Sequence, residues 1–108
     1  MSTTPQLLVT ILYPSVEGAT FDLEYYNNKH LPLVAEKWGK HGLTSYYVAD
    51  LRGAPGPYSI QSTIIWEGSI ETFQRAATED GAEVHADVAN FSSEKPIALV
   101  GPVVKSQI

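Results

Sequence analysis

The chain has no cysteine, which removes disulfides, thiolate nucleophiles and thiolate metal ligands together. No apolar run approaches the roughly 20 residues that a membrane-crossing helix needs. Met1 to Gln6 shows no basic segment followed by an apolar stretch of the secretory kind. A soluble, cytoplasmic protein is therefore the expectation. Basic residues are also scarce: seven stand against twelve acids, for a formal charge of −5. They are scattered, so the phosphate backbone of a nucleic acid finds no patch to grip. Neither nucleic acid nor membrane is an expected partner. Phosphate loops are missing too. The nearest stretch, GAPGP at 53–57, has two prolines and no lysine behind it, so it cannot present a run of amides to a phosphate. No GxSxG occurs, which leaves the serines without a nucleophile elbow. His30, His41 and His85 are separated by 11 and 44 residues, with no carboxylate in a regular ligand pattern, and no metal site or cofactor is expected.

What is present suits one compact domain over residues 1–108, with 44% hydrophobic and 18% charged residues. Gln6 to Tyr13 is short, apolar and closed by Pro14, and reads as a strand buried on both faces. Asp22 or Thr20 can cap a helix in which Leu23, Tyr26, His30, Leu33 and Val34 share one face, ending at Gly39 and Gly42. Leu43 to Leu51 and Tyr58 to Glu67 read as antiparallel strands across a wide RGAPGP loop. In the second of them Tyr58, Ile60, Ser62, Ile64 and Trp66 share a face. Ser69 can cap a further helix carrying Ile70, Phe73 and Ala77. Asp80-Gly81 interrupts it, and Val84, Val88 and Phe91 mark a second helical piece. Pro96 to Val104 is a last strand, apolar on both faces.

The order β-α-β-β-α-β folds most simply as a four-stranded antiparallel sheet with both helices on one face, an α+β architecture. The opposite face, with two-faced apolar strands, needs a cover. A second copy packed sheet to sheet supplies one, making a homodimer; long loops folded over that face are the alternative.

The helix contains a proline, and one of the three histidines lies two residues before it. Pro32 has no amide hydrogen and its ring crowds the carbonyl of Asn28, so the helix must bend or reset there, at a cost of about 3 kcal/mol. A cleft between helix and sheet is the expected consequence. His30 is on the inward face, one turn after Tyr26 and one before Val34. Its imidazole titrates near neutrality, making it the candidate acid/base, with Tyr26 to orient it or the substrate. The plainer reading is a core histidine satisfied by a carbonyl or a tyrosine hydroxyl. His41 reads as a helix-end cation and His85 as a surface residue. Six tyrosines, two tryptophans and three phenylalanines are enough to wall a pocket for a small hydrophobic or aromatic molecule. Tyr26, Tyr47, Trp66 and Phe73 are expected nearest to it. Trp38 reads equally as a dimer contact.

The stretch FDLEYYNNKHLPLV, with Phe21, Tyr25, Tyr26, His30, Pro32 and Leu33, resembles the opening motif of the EthD-like proteins of the dimeric α/β barrel superfamily. DVANFSSEKPIALV, with Asp87, Asn90 and Phe91, resembles their second motif. The resemblance implies a ferredoxin-like fold whose dimer closes two sheets into a barrel. It also makes Tyr25 and Phe91 candidate substrate-binding residues beside His30. EthD-like members are linked to ether breakdown and labelled oxidoreductases, and similar domains occur in aromatic polyketide tailoring. Superfamily cousins include quinone-forming monooxygenases, lactone isomerases and haem-handling proteins. Three functions are therefore in play: a cofactor-independent enzyme on a cyclic hydrophobic compound, a binding or accessory protein for an oxidoreductase system, and a haem-binding protein.

Overall fold

The computed structural model describes residues 6–107; the leaderless reading of the first residues falls almost wholly outside them. Alternating side chains organise the strands. β1 (Gln6–Pro14), β2 (Leu43–Asp50), β3 (Tyr58–Glu67) and β4 (Ile97–Pro102) form one sheet in the order β2-β3-β1-β4, and every neighbouring pair is antiparallel. Val9 lies opposite Ile64 on one side and Val100 on the other. With a period of two, this register turns Leu7, Val9 and Tyr13 of β1 and Ile60, Ser62, Ile64 and Trp66 of β3 to the helix-covered face, where all are buried.

The first helical arm starts at Asp22, whose carboxylate accepts the amide of Tyr25 at 3.0 Å. It is α-helical over α1 (Leu23–Tyr25), takes a π-helical turn over Tyr26–His30, and resumes as α2 (Leu31–Trp38). The bend expected from Pro32 is realised as this wider turn. The amide of Leu31 donates to the carbonyl of Tyr26, five residues back. The chain is thus re-spaced just before a proline that can neither donate nor tolerate a close carbonyl. Gly42, at φ +144°, ends the arm after a 3₁₀ turn; a Cβ there would sit 2.4 Å from the Glu67 carbonyl and 2.5 Å from Trp66 Nε1.

The second arm is α3 (Ile70–Glu79), α4 (Ala82–Asp87) and a 3₁₀ turn (Val88–Asn90), broken at Asp80-Gly81 as the sequence indicates. Ser69 takes the N-cap position, but its hydroxyl makes no capping bond; its carbonyl accepts the Thr72 hydroxyl at 2.7 Å instead. Two core clusters lie between arms and sheet. One gathers Trp38, Trp66 and Ile64, and the other Tyr13, Tyr26, Leu31 and Phe91.

The far side of the sheet carries no helix. There Leu8, Ile97, Leu99 and Tyr47 are 41%, 42%, 54% and 69% exposed. Within one chain β1 is therefore not buried on both faces, and the loops do not fold over this surface. Among the described residues no helix is long and apolar enough to cross a membrane.

Candidate functional site

The π turn places Tyr26 and His30 side by side, both buried, with rings stacked at 5.4 Å and 17°. What it faces comes from far along the chain. The Asp22 amide donates to the Phe91 carbonyl at 2.8 Å, and Phe21 bridges to Ser92. This stitching brings the end of α4 against the first arm. Asp87 there meets His30, with Oδ2 2.9 Å from Nδ1. Its Oδ1 accepts the Tyr25 hydroxyl at 2.7 Å and the Asn90 amide at 2.9 Å.

Burial pushes the Asp87 carboxyl up, but the hydrogen bonds from Asn90, Tyr25 and His30 together outweigh it and hold the group below the usual carboxylate range. An ionised Asp87 accepts only, so the His30 tautomer it selects carries its proton on Nδ1. Nε2 is left with a lone pair. It makes no hydrogen bond to a described residue, and no fully enclosed side-chain polar atom among them lacks a partner. Nε2 therefore reaches open space.

That space is a cavity of about 190 Å³ between arms and sheet, walled by Ile11, Val34, Ile64, Phe73 and Val88 among others, with His30 and Tyr26 in its lining. An engineered apolar cavity of about 150 Å³ holds benzene, so the volume here is on the scale of a single ring with small substituents. Burial lowers the His30 pKa below the ordinary histidine value, against the opposing pull of Asp87. The imidazole is neutral at neutral pH and ready to accept a proton. The Tyr26 phenol is pushed up to about 12, chiefly by burial, and its hydroxyl is bonded to Ser62. It stays protonated and serves as a wall and a brace.

The structure sorts the other expected residues. Phe73 lines the cavity. Phe91 packs 4.4 Å from the His30 ring and Tyr25 stacks on Phe91 at 6.1 Å, so both back the histidine rather than wall the cavity. Trp66 is fully buried behind Phe73, 5.4 Å away, and is core. Tyr47 points from the opposite face: the register shift between Leu43 and Ser45 turns Tyr46 inward and Tyr47 out. Trp38, weighed as a dimer contact, is 5% exposed and lines the cavity, its indole donating to the Asp80 carbonyl at 3.1 Å. His41 binds Asp80 at 2.7 Å. Sequence reasoning missed the partnership of Asp87 with His30, and it missed Ser62, whose signal was a lone hydroxyl on an apolar strand face. His85 was read as a surface residue; it is exposed, yet it borders the cavity, three residues from Val88 on the same helical face.

Sheet order and paired helical arms on one face define a ferredoxin-like α+β protein, here with a histidine in a partly open cavity between them. No family model matches the chain. It is 34% identical over 86 residues to an uncharacterized 11.0 kDa protein of the thcB-thcC intergenic region of Rhodococcus erythropolis, covering 79% of this chain and 82% of that protein. An EthD-like protein from Ralstonia eutropha superposes with a TM-score of 0.82 at 30% identity over 96% of both chains. An EthD family protein from Bacillus halodurans does so with a TM-score of 0.66 at 22% identity, over 89% of this chain and 96% of that one. The chain belongs to the EthD-like family. The fold alone recurs in a dimeric ferredoxin-like protein from Thermobifida fusca, with a TM-score of 0.54 at 14% identity over 95% of both chains. It recurs also in SnoaB, a cofactor-independent oxygenase from Streptomyces nogalater, with a TM-score of 0.55 at 15% identity over 98% of this chain and 97% of that one.

Proposed function

We propose that the protein is a cofactor-independent enzyme that removes a proton from a single-ring hydrophobic compound, with His30 as general base and Asp87 as the group that orients it. One observation carries the reading: His30 is held through Nδ1 by a carboxylate while Nε2 opens on an apolar cavity of about 190 Å³. In such a site the substrate proton passes to Nε2, and the imidazolium so formed is balanced by Asp87 at 2.9 Å. Return of that proton at another atom is an isomerisation. The same abstraction primes an electron-rich ring for oxygen, the chemistry named for SnoaB, which shares only the fold. A haem-binding role loses support, because a macrocycle of four pyrroles far exceeds a volume on the scale of one ring.

The test is hydrogen–deuterium exchange of ring protons in D₂O, followed by NMR over a panel of single-ring ketones and phenols. Exchange accelerated by the protein and lost in His30→Ala supports the reading. Binding of the same compounds with no accelerated exchange in any of them would establish an accessory binding protein instead.

The second element of the proposal is a homodimer through the uncovered sheet face. A patch holding Leu8, Ile97, Leu99 and Tyr47 is costly to leave in water, and the Thermobifida fusca neighbour is described as dimeric. Light scattering at micromolar concentration should give twice the chain mass, and Leu99→Glu should give one.

A further inference from the structure

The cavity has two polar ends, and the proposed chemistry uses one. Of the lining side chains that carry polar atoms, Tyr26 has its hydroxyl on Ser62, Tyr13 lies beside Tyr26, and the Trp38 indole donates to the Asp80 carbonyl. That leaves the Nε2 of His30 and the imidazole of His85, besides a Tyr13 hydroxyl that is buried against Tyr26, as the lining groups without a hydrogen-bond partner among the described residues. His30 is 4% exposed, at the buried end. His85 is exposed, at the mouth. It sits on α4, whose Val84 also lines the cavity, as does Val88 in the turn that follows, and whose last residue, Asp87, holds His30. One short helix therefore carries both the carboxylate that aims the base and, at the exposed rim of the cavity, the second histidine of its lining.

We propose that His85 is a specificity-determining residue that hydrogen-bonds an oxygen substituent of the ligand at the cavity mouth. The ligand class is then a single ring bearing a hydroxyl or carbonyl on the side away from the atom that meets His30. This rests on the reading of the cavity as a substrate site and narrows it. An imidazole donates or accepts according to tautomer, so both substituents fit. A wholly apolar ring gains nothing from it, and a ring whose oxygen faces His30 would leave His85 idle.

The probes are toluene and p-cresol, which differ by one hydroxyl on the same ring frame. Calorimetric titration should show p-cresol binding about three- to tenfold more tightly, the worth of one net hydrogen bond. His85→Ala should erase that preference while leaving the toluene affinity and the melting temperature unchanged, and His85→Gln should restore part of it. In parallel, both probes should move the His30 ring resonances in the NMR spectrum. If those resonances move but the preference survives in His85→Ala, or is absent from the unmodified protein, the role of His85 is overturned and the cavity reading stands. If neither probe moves them, the cavity reading falls, and the role of His85 with it.

Discussion

His30 meets Asp87 at 2.9 Å and His41 meets Asp80 at 2.7 Å, so the same two helical arms are joined by two histidine–aspartate pairs. Their surroundings differ in three respects. Asp80 also holds Lys40 at 3.3 Å, whereas Asp87 holds neutral donors, a tyrosine hydroxyl and an asparagine amide. The side chain of Asp80 is 24% exposed and that of Asp87 13%. His41 uses Nε2 for its carboxylate, while His30 uses Nδ1 and turns Nε2 to an apolar cavity. A lysine and water share the charge of Asp80, leaving a clip between two helix ends. With neutral donors only, the charge of Asp87 is reserved for the imidazole it faces. The pairing of residue types does not make a site; the second nitrogen and what it faces do.

The comparison can be broken most decisively at the two rings. His30→Ala should slow proton exchange on a responsive compound by about 10²–10⁴-fold, the usual worth of a general base. His41→Ala should leave that rate within about twofold, measured in the same NMR assay. Equal losses in the two variants would erase the distinction. Next come the carboxylates. Asp87→Asn should lower the rate roughly 10²-fold by releasing the tautomer of His30. It should also cost about 1–2 kcal/mol in urea denaturation, since three donors lose an anionic acceptor. Asp80→Asn should shift the urea midpoint less and spare the rate.

Tyr26→Phe sharpens the contrast further in. It leaves the Ser62 hydroxyl buried without its partner, a loss of about 1 kcal/mol. The shape of the pH–rate curve should not change, because a phenol titrating at about 12 is protonated throughout.

The smallest effect is the pH dependence of stability. The native His30 pKa lies below its ordinary 6.5, so between the two values the unfolded chain binds more protons. Stability is then full above about pH 6.5 and declines as pH falls from there toward the native value. Urea midpoints measured across that window should show this slope, and His30→Gln should remove its share.

How legible each feature was depended on how far along the chain its cause lay. The Asp22 cap, the inward set Ile60, Ser62, Ile64 and Trp66, the break at Asp80-Gly81 and the turn at Gly42 all follow from neighbours within a few residues. Pro32 announced a disturbance of the helix but not its form, since a bend and a π turn relieve the same clash. Tyr47 was misplaced because one irregularity between Leu43 and Ser45 reverses every later side chain of β2, and nothing in LTSYY marks it. Asp87 lies 57 residues from His30. The family resemblance flagged it as a motif residue, but no local rule makes it the histidine's partner.

By itself, the order of residues determined the strands, the arms, the sheet they form and the histidine that points inward, because periodicity and capping act over one or two turns. Only the tertiary structure decided that this histidine would be held by Asp87, that its free nitrogen would open on an apolar cavity, and that His85 would stand at the mouth. Those outcomes come from packing two arms against one sheet, where burial and distance are set by contacts between residues remote in the chain.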